Sequence, residues 1–197
     1  MFPLTHLYIA EKTAGRTPKV LLGSILLDAP VTSKYLTYEN FEKCDWLDKI
    51  KDPYLKKGLI IHMAVDEISH RPHGKNNVYP FRWFTDRFPG VSNWRWHIVP
   101  EYMIELNIVE TYPYVLDLFE IAATADINSV AHEIANAIGK NEKMVYGAIK
   151  RYIGLVREYN KLLTKNLPNL INNGMKDCLE ECINNSNLSL KEYNLKD

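Results

Sequence analysis

The chain has little cysteine. Cys44, Cys178 and Cys182 are the three it carries in 197 residues. An odd number at irregular spacing argues against a disulfide framework and fits a reduced interior. An excess of charge of either sign is also missing, because 24 Lys and Arg balance 24 Asp and Glu. Nothing in that balance points to duplex nucleic acid, whose binding leaves a basic footprint. No stretch approaches the ~20 apolar residues of a membrane span. The opening MFPLTHLYIAEKTAG has no basic start, and its apolar run is broken by His6 and Glu11. No signal peptide is visible there, so a cytoplasmic location is expected. Gly-rich phosphate loops, internal repeats and sustained strand-like alternation are absent as well.

What is present reads as helices joined by loops, and the expected class is all-α. Apolar positions Leu4, Leu7 and Tyr8 precede a stop at Gly15. A second helix begins at Thr17-Pro18, a favourable start, and ends at Asp28 before Pro30. Gly23 and Ser24 on it are small enough to admit another helix closely. Asp52-Pro53 opens a third helix, DPYLKKGLIIHMAVDEISH, which Pro72 and Gly74 stop. The long loop RPHGKNNVYPFRWFTDRFPGVSN follows. One or two helices then run to about residue 124, with Pro100 predicting a kink or a restart. A capped amphipathic helix, DINSVAHEIANAIGK, comes next. A long helix after it places Met144, Ala148, Tyr152, Leu155 and Tyr159 on one side. The expected organisation is a helical metal-binding catalytic domain over 1–166, with a C-terminal helix and polar tail over 167–197.

Chemistry concentrates in HMAVDEISHRPH, which holds His62, His70 and His73, three of the six histidines. A helix turns 100° per residue, so positions four apart share a face. His62, Asp66 and His70 obey that spacing within an otherwise apolar stretch. Burying a carboxylate there is costly unless something compensates it, and a divalent cation would. His97 and Glu101 repeat the pattern on a later helix. Each pair alone is more often a surface hydrogen-bonded pair; two in one chain suggest metal ligation. By themselves His6 reads as a core histidine, Asp28 as a helix-end residue, His73 as a loop residue and His132 as structural.

The segments FPLTHLYIAEK, LLGSILLDA, GLIIHMAVDEISH and WHIVPEY, in that order, resemble the zinc-dependent phospholipase C family. The likeness is to its short bacterial members and covers roughly residues 2–105. It implies a multihelical fold shared with single-strand zinc nucleases. It further implies that His6, Asp28, His62 and Asp66 ligate one zinc region, with Asp66 able to bridge. His70, His97 and Glu101 would hold a second zinc, with His73 a rival to His70. Secreted relatives use the amine of an N-terminal Trp as a further ligand, whereas this chain starts Met1-Phe2-Pro3, so two ions are expected. Leu27 stands where short relatives often carry Pro before the aspartate. Mixed histidine and carboxylate sites also accept manganese or iron.

The resulting expectation is a hydrolase of phosphoric esters, with Asp28 orienting or deprotonating the attacking water. Its partner would be a phosphoester small molecule or a lipid head group. Arg82, Arg87 or Arg95 could meet the phosphate, although loop arginines are more often simply solvated, and Trp83, Trp94 or Trp96 could cover a head group or stack on a base or equally close the core. A nucleotide or nucleic-acid phosphodiesterase with the same metals, and a non-catalytic metal-binding protein, are the alternatives.

Overall fold

The computed structural model describes residues 3–32, 36–41, 44–70, 98–163 and 173–195. All regular structure among them is helical, as the pattern predicts. We number the helices α1 (Pro3–Ala14), α2 (Pro18–Leu26), α3 (Pro53–His70), α4 (Ile98–Thr111), α5 (Val115–Ala123), α6 (Ile127–Ile138), α7 (Glu142–Leu163) and α8 (Asn173–Glu192). Short 3-10 turns at Ala29–Thr32, Tyr38–Asn40 and Cys44–Lys49 fill the irregular stretch between α2 and α3.

Local chemistry sets the ends. Asp52 Oδ1 accepts the Tyr54 and Leu55 N–H groups at 3.0 Å and starts α3. Asp126 does the same for Asn128 and Ser129 at α6. Asn141 does it for Lys143 and Met144 at α7. Each cap satisfies donors that the first helical turn leaves without a partner. Gly139 ends α6 at φ 67°, a conformation that costs a residue without Cβ nothing. Pro100 is the third residue of α4 as described. A break falls at Pro113, between α4 and α5.

Helix α1 is the unusual element. Its first eight residues, Pro3 to Ala10, are all buried. It packs on α2, α3, α4, α5 and α8, so its N-terminal half lies inside the protein. Each fully buried Leu or Ile there contributes about 1.5–3 kcal/mol, which compensates for bringing Thr5 and His6 in with them. Helix α8 packs on α3 and α1, adds Cys182 and Leu190 to the core, and donates Asn185 Nδ2 to the Ala64 carbonyl of α3 at 2.6 Å. Cys182 is fully buried. Helices α6 and α7 form a pair on the other side. No described helix is long and apolar enough to cross a membrane.

The α2–α3 crossing fixes the distance between the two helices that matter most to the site. Gly23 faces Gly58, the partner its small size anticipates. A Cβ on Gly58 would overlap the Val20 carbonyl oxygen and stand 2.9 Å from Gly23 Cα and Ser24 N. The expected stripe on α7 is corrected by the structure. Met144 and Leu155 are exposed by 42% and 46%, and Val145, Ala148, Ile149, Tyr152, Ile153 and Val156 form the buried side. The inward face is rotated by about one residue from the pattern that Met144 and Leu155 suggest. Gly147 and Gly154 lie on the outward face, with nothing near a Cβ added to either. Gly147→Ala and Gly154→Ala are each expected to stabilise the protein by roughly 0.5–1 kcal/mol through helix propensity alone. Urea unfolding of the double variant checks this, and a loss of stability would contradict the outward placement.

Candidate metal centre

Three elements bring the site together. His6 comes from the buried half of α1, His62 and Asp66 from successive turns of α3, and Asp28 from the turn that ends α2. The two imidazoles are parallel, with ring centroids 4.0 Å apart and planes within 4°. His62 Nε2 lies 3.1 Å from Asp66 Oδ2 and 3.9 Å from Asp28 Oδ1. His6 Nε2 lies 3.4 Å from Asp66 Oδ1. One ligand atom from each of His6, Asp28 and His62 falls within 4.8 Å of the other two. Around a four-coordinate ion with bonds of about 2.0–2.2 Å, donor atoms stand roughly 3.3–3.6 Å apart. The set is therefore close to the spacing a single ion requires.

The nitrogens are disposed as ligands. His62 Nδ1 lies 2.7 Å from the Ser24 carbonyl oxygen, which as a pure acceptor fixes the proton on Nδ1 and leaves Nε2 facing the carboxylates. This is the second consequence of the close α2–α3 crossing, since Ser24 follows Gly23. His6 is wholly buried, and among the described residues neither of its ring nitrogens makes a hydrogen bond, the Asp66 carboxylate lying 3.4 Å from Nε2. Buried polar atoms are rarely left in that state without a ligand to meet them.

The charges favour one ion pair that a cation can take over. Burial pulls the His6 pKa down to about 3, and the neighbouring His62 adds to the pull. Burial lowers that of His62 too, but Asp66 and Asp28 outweigh it, and the His62 pKa rises. Burial would raise Asp66, yet the charge of His62 and the close approach of both histidines carry it well below the usual carboxylate range. Asp28 ends above its ordinary value through burial and the repulsion of Asp66 and Glu101. The directions favour the charged form of His62 against an ionised Asp66, beside a His6 that burial keeps neutral. A divalent cation binding here competes with a proton for His62 Nε2.

Sequence reasoning missed Glu105. It sits one turn beyond Glu101 on α4, is fully buried, and Oε1 accepts the Thr5 N–H at 2.7 Å. Burial pushes its pKa up to about 8 against the pull of that bond and of the Tyr159 hydroxyl. Between the unfolded value of 4.5 and about 8, the folded protein keeps a proton that the unfolded chain has released. Stability from this group is thus complete below the lower value and lost as pH rises, by at most about 1.4 kcal/mol per pH unit. Glutamine does not titrate. In chelator-treated protein, the stability of Glu105→Gln relative to the parent is expected to climb from about pH 5 to about pH 8 and then level. Urea titrations across that range read it, and a flat difference would mean that Glu105 is ionised throughout.

Of the seven residues expected to bind metal, the structure brings together His6, Asp28, His62 and Asp66. Glu101 is buried close enough for its charge to act on Asp28. His70 is the last residue of α3, and its side chain lies outside the described residues, as do His73, His97 and the arginines and tryptophans of the loop. His132 is an exposed residue on α6 that pairs with Glu142 at 2.8 Å and with Asn136, away from the site. Ser24 could not be anticipated, because its contribution is a backbone carbonyl. Glu105 left a signal, the one-turn spacing from His97 through Glu101. Comparisons with known protein families, curated proteins and solved structures give no match.

Proposed function

We propose that the chain is a metal-dependent hydrolase of phosphoric esters, resembling the zinc-dependent phospholipase C family, and that His6, Asp28, His62 and Asp66 hold one divalent ion, with zinc the first candidate. The carrying observation is the convergence of two buried imidazoles and a carboxylate from three helical segments, with ligand atoms within 4.8 Å. The donor set fits the group: imidazole nitrogens and carboxylate oxygens suit zinc, manganese and iron. A bound ion supplies Lewis acidity toward a phosphoryl oxygen and acidifies water toward neutral pH.

The protein's own residues do the rest. Ser24 O and Asp66 orient His62, while helix α1 and the stacking of the rings orient His6. Asp28 keeps a fifth of its side chain exposed and has a raised pKa. With an ion bound it would orient the attacking water and take its proton, the role the family resemblance implies for it. Glu101 adds negative charge that favours a second cation, together with His97 and His70.

The test is metal content of protein purified without chelator, by mass spectrometry, paired with turnover of bis-p-nitrophenyl phosphate, p-nitrophenyl phosphorylcholine and a single-stranded oligonucleotide. One or two ions per chain with turnover abolished by chelator supports the proposal. Preference for the phosphorylcholine ester assigns a lipid-type head group, and preference for the oligonucleotide assigns the nucleic-acid alternative. Bound ions without turnover on any of the three would leave a non-catalytic metal protein.

A further inference from the structure

We propose that Glu105 is a positioning residue for His6, acting by fixing the buried N-terminal turn of α1 rather than by touching the metal. The inference rests on the metal reading above and goes beyond its ligand set.

The first N–H groups of a helix have no partner within it, and water usually meets them. Here the first turn of α1 is buried, so an acceptor must come from the protein or the donor is left bare at a cost of about 1–3 kcal/mol. For Thr5 the acceptor is Glu105 Oε1, at 2.7 Å and from a helix one hundred residues away in sequence. Thr5 and His6 are consecutive residues of one helical turn, so the bond that anchors the first fixes the rotation and height of the second. Its consequence is the parallel stack of His6 on His62 and the 3.4 Å approach of His6 Nε2 to Asp66. Among the described residues His6 has no hydrogen bond of its own to hold its ring, so the backbone anchor sets its place. A buried carboxyl is a costly choice for a cap that could have been a surface serine or asparagine. Its place on α4 one turn from Glu101 ties α1 to the helix that carries the proposed ligand of the second ion.

Co2+ is the probe, because its visible absorption reports ligand number and geometry. Parent, Glu105→Gln and Glu105→Leu are titrated with Co2+ at neutral pH. The glutamine carbonyl still accepts the Thr5 N–H, so its affinity is expected within about 3-fold of the parent with an unchanged spectrum. The leucine variant loses the acceptor and is expected to bind roughly 10–100-fold more weakly, as residues behind metal ligands typically do, with an altered spectrum. Glu105→Asp withdraws the carboxyl by about 1.5 Å and serves if the leucine variant does not fold; it is expected to bind at least about 10-fold more weakly. A leucine or aspartate variant that is less stable yet binds Co2+ with parental affinity and spectrum overturns the proposal while leaving the metal site standing. A parent that binds no Co2+ overturns both.

Discussion

Replacing His62 by alanine is expected to weaken divalent-metal binding by more than about a hundredfold and to abolish turnover of phosphoesters. It should also destabilise the metal-free protein by about 3 kcal/mol. The metal effect follows from position: His62 Nε2 is the atom closest to both carboxylates, and its partner Ser24 O holds it ready. Removing a ligand itself must exceed the 10–100-fold typical of residues behind ligands. The stability effect follows from stranding Asp66. Breaking a buried pair by deleting one member costs about 3–5 kcal/mol, and Asp66 keeps 30% of its side chain exposed, which places it at the low end. The pH dependence has a definite sign. The His62 pKa is raised in the folded state, so its ion pair contributes fully below the unfolded value and is lost as pH rises through the folded one. The alanine variant should therefore lag the parent more at pH 6 than at pH 9 when both are free of metal. Metal affinity of the parent runs the opposite way and weakens as pH falls, since the ion competes with a proton for Nε2. Calorimetric titration with Zn2+ at two pH values, with urea unfolding in chelator, reads all three effects. Equal Zn2+ affinity in the two proteins would sink the ligand assignment.

The parts legible in the sequence were those governed by neighbours along the chain. Asp52 and Asp126 declare helix starts because capping needs only a side chain and the next three residues. The turn-by-turn pairing of His62 with Asp66 is equally local. What could not be read was anything requiring two distant segments to meet. Nothing in the spacing of His6 says that it stacks on His62; taken alone, it reads as a core histidine, and its place beside Asp66 came from the family resemblance. Gly23 announced a close approach without naming Gly58. The α7 stripe failed for a related reason: Met144 and Leu155 are apolar, but which side of an amphipathic helix faces inward is settled by α6 and the turn at Ala29–Thr32. Glu105 lay at a legible spacing, yet a buried carboxyl that caps a helix from another part of the chain has no signature in its own surroundings.

The close crossing of α2 and α3 makes Gly58→Ala the second large effect. On helix propensity alone the substitution should stabilise by about 1 kcal/mol. The added Cβ would instead overlap the Val20 carbonyl and press on Gly23 Cα and Ser24 N at 2.9 Å, all backbone atoms that cannot rotate aside. The helices must separate, and overpacking of this kind typically costs 1–3 kcal/mol and occasionally more; backbone against backbone belongs at the upper end, so a net loss of about 3 kcal/mol is expected. Separation also carries the Ser24 carbonyl away from His62 Nδ1, whose present distance is 2.7 Å. His62 then loses the partner that fixes its tautomer, and Zn2+ affinity is expected to fall about 10-fold or more, although the mutation lies one turn from the nearest ligand. The glycines of α7 provide the internal contrast: the same chemical change there should stabilise and leave Zn2+ affinity untouched. Thermal unfolding and Zn2+ titration of Gly58→Ala beside Gly154→Ala separate the two cases. A Gly58→Ala protein as stable as the parent would mean that α2 and α3 do not cross at this distance, and the hydrogen bond that aims His62 would lose its structural basis.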